Sequence, residues 1–500
     1  MRGLPAAGAF LSLLLLAAPL TGQAPPPEPL LAQRSVSSSN PDARRAFAEG
    51  LTLLYAFNPE EARRSFERAS AADPAFALAH WGSALSWGVN LNTSYAPAGQ
   101  RRGRDAIARA KALETSASPV ERALIEAAAA RYALSGKNDA DASARAYADA
   151  MLQVAQHFPD DDDVQALTAE AEMDATPWDY WTAAGKPSNP RVLDVVARLQ
   201  RVLARDPEHL QANHLLIHVL EESPHPEGAL EAAGRLARDA FAPAAEHLAH
   251  MPAHTYMRVG DYHAAGLANT RALDLFAAYL ASDHASGHEA YRGHDCRFAV
   301  SAYMMSGEEA EAAREAQRCD GSAPVLAAEV AVRFRHYAGL ADRPQLPPFA
   351  HGMASVAAGR LAQAEADAQN LDKEGDGVAK IAASVVRGTI ARARGDQAAE
   401  IADLQRAVKL QDDEGYSEPP SFFFPVRESL GGALLRADRA AEAQAVFRAD
   451  LVKNPQNPRS LFGLATALEH AGNADVAALE QAAFRQAWRY SSATLDVGDL

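Results

Sequence analysis

Small and apolar residues recur along the chain at spacings of three and four, each run closed by proline. Ala62, Phe66, Ala69 and Pro74 follow one another at intervals of 4, 3 and 5, with Gly50 lying 12 before Ala62. Near the other end Ala443, Phe447 and Pro455 keep the same register, and Gly431 again lies 12 before the alanine. Such spacing puts these side chains on one helical face, with small residues where neighbouring helices touch. The pattern predicts antiparallel helix hairpins in tandem. Weaker copies centre on Ala229, Ala265, Ala312 and Ala477, and Gly388 and Gly395 lead into Leu404 and Ala407. The fold expected is an all-α, superhelical solenoid of roughly ten hairpins, several of them degenerate.

Some stretches interrupt the register. Asp160–Asp163 after Pro159 reads as an acidic turn, and Thr176–Trp181 as an aromatic loop carrying Trp178, Tyr180 and Trp181. Asp342–Pro348 is a proline-rich connection and Asp412–Pro420 a polar loop. Soft boundaries near 160 and 343 divide the array into 41–160, 161–342 and 343–500. At 500 residues the chain exceeds the roughly 250–300 that a single core serves, and an array removes that difficulty.

Composition sharpens the picture at three points. Hydrophobic residues make up 48% and aromatics only 7%, and alanine-rich chains favour closely packed helices over sheets. A net charge of −16 argues against an electrostatic grip on nucleic acid or an anionic membrane. Residues 1–24 read as a signal peptide, with Arg2 ahead of the apolar stretch Ala9–Leu20 and a cleavage region at Gly22-Gln23-Ala24. That stretch is shorter than the ~20 residues a membrane span needs. Residues 25–40 read as a disordered linker, and the chain as an exported, periplasmic or secreted protein.

An oxidising destination gives meaning to the two cysteines. Cys296 lies 11 before Gly307 and Cys319 lies 12 after it. In an antiparallel hairpin turning at Ser306-Gly307 they come opposite each other, which suits a disulfide. Two small core residues is the other reading.

Ten of the 16 histidines fall between His214 and His294, and their register is informative. His214, His218 and Glu221 are spaced 4 and 3, on one helical face. His247, His250 and His254 are spaced 3 and 4. Against the repeat anchors, His214 lies 15 before Ala229 and His250 lies 15 before Ala265. His218 and His254 both lie 11 before those alanines. His247 lies 18 before Ala265, and His294 lies 18 before Ala312. These are equivalent positions on three consecutive first helices, which line the concave surface of such arrays. Six imidazoles and Glu221 are thus expected to converge on one groove and to hold one or two transition ions, copper or zinc. Pro252 interrupts the second group, so either that helix kinks or a new one begins there. His225 is a candidate for supporting the ligands, while His263, His284 and His288 read as surface residues. Arg258 and Arg297, one turn beyond His254 and His294, are candidates for holding a substrate carboxylate or phosphate. Glu428 occupies the equivalent face of a distant repeat and reaches the site only if the superhelix closes on itself. Serine-nucleophile, phosphate-loop and dinucleotide motifs are missing from the sequence.

The segments ANHLLIHVLEESPHPEGALEAA, HLAHMPAHTYMRVGDYHAA and FFFPVRESLGGALLRADRAAEAQAVFRADL resemble a branch of bacterial tetratricopeptide-repeat proteins with HxxxHxxE and HLxHMPxHxYxRxGxY blocks. The resemblance covers nearly all of the chain beyond the signal peptide. It implies the solenoid fold and singles out His214, His218, Glu221, His247, His250, His254 and Arg258. It departs at Gly293-His294-Asp295, where the branch favours a PHN-like tripeptide, and at Glu428, where a histidine is common. The functional expectation is a metal protein with a small-molecule or peptide ligand in its groove. Its chemistry would be that of a metal-dependent oxidase or hydrolase, with Glu221 as ligand or general base. The alternative is a non-catalytic adaptor that binds a partner peptide, and a metal store or chaperone is a lesser reading.

Overall fold

A computed structural model describes residues 28–93, 97–133, 140–282 and 291–500. The first twelve helices are α1 (Pro41–Tyr55), α2 (Pro59–Ala72), α3 (Ala77–Leu85), α4 (Pro97–Ala112), α5 (Pro119–Tyr132), α6 (Ala140–His157), α7 (Asp162–Asp174), α8 (Arg191–Arg205), α9 (Leu210–Leu220), α10 (Leu230–Arg238), α11 (Glu246–His250) and α12 (Pro252–Val259). They continue as α13 (Tyr262–Leu280), α14 (Arg292–Ser306), α15 (Glu309–Arg318), α16 (Ala323–Arg333), α17 (Pro348–Ala357), α18 (Leu361–Glu374), α19 (Gly377–Ala393), α20 (Gln397–Asp413), α21 (Val426–Arg436), α22 (Ala440–Lys453), α23 (Pro458–His470) and α24 (Ala474–Ala487). Apart from α11 and α12, consecutive helices pack mostly as antiparallel hairpins, the tetratricopeptide-type α-solenoid. Among the described residues β structure is confined to two isolated bridges, and no helix is long and apolar enough to cross a membrane.

The repeat register has a direct structural cause. Phe66, fully buried on α2, wedges between Gly50 on α1 and Gly82 on α3. A Cβ at those glycines would stand 2.8 and 2.5 Å from the phenylalanine ring. Phe447 on α22 repeats the arrangement between Gly431 and Gly463, where a Cβ would stand 2.3 and 2.2 Å away. Helices approach this closely only where one side lacks a side chain. Polar caps start many of the helices: Asn40, Asn58, Asp261, Asp376 and Asp396 each accept a backbone N–H from the first turn.

Residues 28–40 differ from the disordered linker expected of them. They carry no helix, yet Leu30 N donates to Ala240 O at 2.7 Å and Ala32 N to Thr52 Oγ1 at 2.8 Å. The buried Arg34 pairs with Asp161 and Asp163, both at 3.1 Å. A polar composition predicted disorder because most of these partners, Ala240, Asp161 and Asp163, lie more than a hundred residues away. The turns near 160 and 343 join helices that pack directly on each other, α6 on α7 and α16 on α17. The apolar core instead divides further along. One large cluster runs from Ala32 to Tyr291 and another from Leu273 to Leu500, with a small cluster around Ala253, Met257 and Phe298 between them.

The C-terminal helices fold back onto the centre. Gly260 caps α12 with φ 85°, and a Cβ there would lie 2.1 Å from Pro455 O in the α22–α23 turn. Beside it Tyr262 Oη donates to the same carbonyl at 2.8 Å. Cys296 on α14 and Cys319 after α15 are joined as a disulfide, their Cα atoms 5.6 Å apart.

Candidate metal centre

The six histidines of the register meet at the junction of the apolar clusters, arranged as two triads. His214 and His218 on α9 meet His247 on α11, and His250 on α11 and His254 on α12 meet His294 on α14. Within each triad one nitrogen per ring lies within 4.8 Å of the others. Both triads follow one rule. The histidines 15 and 11 before the anchor alanine of one hairpin are joined by the histidine 18 before the anchor of the next. The closest approaches are 3.2 Å between Nε2 of His214 and His247, and 2.9 Å between Nε2 of His250 and His254. The triads adjoin, with His247 and His250 ring centroids 5.7 Å apart and His218 and His254 6.1 Å apart.

Pro252 starts a new helix, one of the two alternatives, but without the redirection of His254 that this alternative carried, because the chain barely turns. Met251 keeps right-handed helical angles, φ −49° and ψ −39°, so α11 and α12 run nearly end to end. His247, His250 and His254 therefore stay on one face despite the missing N–H.

Nδ1 atoms of several rings are held by groups outside the triads. His214 Nδ1 faces Gln211 Oε1 at 3.2 Å. His250 Nδ1 faces Asn269 Oδ1 at 2.6 Å and Asp295 Oδ1 at 3.2 Å. Asn269 Nδ2 donates to Ala265 O, which fixes its amide so that His250 carries its proton on Nδ1 and its lone pair on Nε2. His254 Nδ1 faces Glu418 Oε2 at 2.9 Å and Glu221 Oε2 at 3.2 Å. Nε2 lone pairs thus turn towards the interior of each triad, the orientation in which imidazole binds a cation. His218 goes further, since both of its buried ring nitrogens lack a hydrogen-bond partner.

Burial sets the protonation states. His214, His218, His247 and His250 titrate well below the ordinary histidine range, because burial and then the neighbouring imidazoles oppose a proton. His254 is lowered by burial, with Glu221 acting against it, and His294 falls to about 3. The rings are neutral near pH 7 and carry free lone pairs. Burial raises Glu221, Glu246 and Glu418 to about 8, and Asp295 also rises well above its ordinary value, helped by Glu246. A cation in the triads would reverse the balance for these carboxyls.

The groove expected to be open is a closed chamber. His214 and His250 are fully buried and His254 is 5% exposed. Phe57, from the α1–α2 turn, packs on His214, His218 and His247 at 4.6, 5.8 and 5.4 Å. Tyr291 stacks on His247 at 4.3 Å, and Phe298 packs on all three rings of the second triad. Trp178 meets His218 edge-on while its Nε1 donates to Leu91 O, so the aromatic loop and the 90–93 turn close one side together. The polar loop 412–420 closes another by delivering Glu418.

Several sequence expectations need correction. Glu221 lies outside both triads, against the Nδ1 side of His254 and 3.7 Å from His218 Nδ1. Arg258 donates from Nε to Glu221 O at 2.7 Å and from Nη2 to Ser223 O at 3.2 Å, so it ties α12 to the end of α9. Arg297 is exposed on the far face of α14. His225 is exposed and pairs with Glu227. His263 is half-buried between Glu308 and Tyr490, while His284 and His288 lie outside the described residues. The superhelix does close, yet Glu428 is held by Arg333 at 3.0 Å and by Asn457, and Glu418 makes the contact instead. Sequence reasoning missed Gln211, Asn269, Asp295, Glu418 and Phe57. Only Asp295, adjoining His294, carried a local signal.

No family model and no curated protein matches the chain. Among solved structures it is similar to the human IFIT1 dimer with PPP-AAAA (15% identity, 89% of this chain and 93% of that one, TM-score 0.33). It is also similar to Cut9–Hcn1 of the APC/C (14%, 90% and 74%, 0.29) and to yeast Tom70 (11%, 88% and 90%, 0.28). At TM-scores this low, the assignment to a tetratricopeptide-type helical solenoid rests on the hairpins and phenylalanine wedges of the chain itself.

Proposed function

We propose that the protein is an exported metal protein whose chamber holds two transition ions, one in each histidine triad, with a molecule as small as water or dioxygen bound between them. The observation that carries this reading is the repeated construction of the triads, a pair from one hairpin completed by a histidine of the next, twice over. Packing gives no reason for ligand-type residues to recur in that register. Three neutral imidazoles per ion suit copper or zinc and leave a position open on each. A copper pair would supply oxygen chemistry and a zinc pair water activation, with Glu221 as the nearby proton acceptor. Glu221, Glu246, Asp295 and Glu418 offset the charge of two divalent ions once ionised. The paired cysteines support export, because disulfides persist in oxidising compartments.

The adaptor reading has the helical solenoid itself in its favour, since such arrays bind partner peptides on their concave face. Metal analysis separates the two. Wild-type protein loaded with copper or zinc and dialysed should hold two ions per chain. His218→Ala and His254→Ala should each hold one, and the double variant none. A wild-type chain retaining only traces of metal would sink the metal reading, and partner capture unaffected by both substitutions would then leave the adaptor.

A further inference from the structure

Gly431 and Gly432 adjoin on α21, yet only the first is taken by the Phe447 wedge. The second receives the end of the chain. A Cβ on Gly432 would stand 2.5 Å from Leu500 Cβ and 3.0 Å from the Leu500 carboxyl carbon. Leu500 is 3% exposed and belongs to the C-terminal apolar cluster. Arginines from separate parts of the array close on the segment before it. Arg436 at the end of α21 donates to Val497 O at 2.8 Å and to Leu500 O at 3.4 Å. Arg392 on α19 donates twice to Gly498 O, at 3.3 and 3.2 Å. Arg459 on α23 donates to Asp499 O at 2.9 Å, and Arg335, beyond α16, lies 3.8 Å from the Asp499 carboxylate.

These contacts read position in a chain more than its sequence. They are guanidinium to backbone carbonyl, cation beside carboxylate, and a socket for one leucine. Any chain that ends in leucine behind an acidic residue presents the same groups. The guanidiniums also oppose one another. Arg392 is lowered by burial and then by Arg436 and Arg335, and Arg459 is pushed down to about 9 by burial and then by Arg333. Glu400, paired with Arg436 at 2.7 Å, offsets one of these charges, so an empty seat would attract an anionic chain end. Beside Leu500 a cavity of about 210 Å³ stays open, lined by Arg335, Arg392 and Arg436 and by the apolar Met353, Val356 and Val385. The chain's own tail leaves that room unfilled.

We propose that the seat is a receptor for the free C-terminus of a partner protein that ends in an acidic residue followed by leucine, and that the chain's own tail occupies it as a tethered competitor. Recognition through the backbone leaves the partner's upstream side chains to fill the open cavity. The seat shares no residue with the histidine chamber and does not depend on the metal reading.

The test uses the full chain and a fluorescein-labelled peptide of residues 491–500, made as the free acid and as the C-terminal amide. In the wild type the tethered tail competes at an effective concentration of roughly a millimolar, so the peptide should bind weakly. Leu500→Asp empties the socket and should bind the free acid about tenfold more tightly than the wild type does, and the amide about tenfold less tightly than the acid. Adding Gly432→Ala to L500D fills the socket and should abolish binding of both, while alanine within a helix keeps α21 stable. Acid and amide bound alike would overturn the proposal, as would L500D binding no better than the wild type, or binding that survives G432A. Should L500D fail to fold, the wild type decides. Excess free acid should then move the Leu500 methyl resonances from their buried to their solvent-exposed positions. Signals unmoved by the acid, or moved equally by the amide, would overturn the proposal.

Discussion

His218 keeps two buried ring nitrogens without a partner, and each such group costs about 1–3 kcal/mol when water cannot reach it. His214, His250 and His254 divide their nitrogens differently, with Nδ1 facing an outward partner and Nε2 facing in. That division makes the outward partner matter. Glu418→Ala removes the acceptor 2.9 Å from His254 Nδ1 and should weaken metal at the second triad by 10–100-fold. The first triad, whose His214 is held by Gln211, should be unaffected. Chelator competition on the loaded protein would show one tight and one weakened ion, and equal weakening of both would refute the assignment. The histidines themselves were legible because each sits at a fixed offset from a repeat alanine. Glu418 was not, since nothing within 164 residues of His254 signals that a polar loop will arrive there. Arg258 was misread for a related reason. Its spacing from His254 gives its face, but its acceptors are buried backbone carbonyls at the end of a neighbouring helix.

At the level of elements, the hairpins were readable because a glycine, an alanine, a phenylalanine and a proline recur at fixed spacing, and the helix break at Pro252 was readable from its chemistry. What spacing could not show was the closure of the array, which depends on turns meeting across nearly two hundred residues. Gly260 is the hinge of that contact. Gly260→Ala places a Cβ where Pro455 O now lies, on a backbone at φ 85° that non-glycine residues adopt at a cost. Strain and displacement together should destabilise the protein by about 2 kcal/mol. Thermal unfolding would report the loss, and hydrogen exchange should quicken in α22 and α23 while α1 to α3 stay protected. Uniform quickening would mean that the contact is not local.

For the molecule as a whole, Asp450 gives stability a defined pH dependence. Burial and the nearby Glu428 raise it to about 6 from an ordinary 3.8, so the folded chain retains a proton that the unfolded chain has released. Its contribution is complete below 3.8 and is lost as pH rises through about 6. Asp450→Asn cannot ionise. Whatever the offset at pH 4, the difference between D450N and wild type should move in favour of D450N by pH 7, by on the order of 2–3 kcal/mol. Parallel unfolding curves across that range would exclude the shift.

The distance in sequence between the parts of the chamber also sets an order of events. Phe57 enters from the first hairpin, the first triad is complete once residue 247 has folded, the second needs residue 294, and Glu418 comes last. A chain emerging from its N-terminus could assemble all six imidazoles while the polar loop that carries Glu418 is still unmade. During that interval the rings would be wet and ready to take whichever soft ion is present. Arrival of the C-terminal helices then brings Glu418 to His254, so on the proposed metal reading the second triad would be completed by the part of the protein made last.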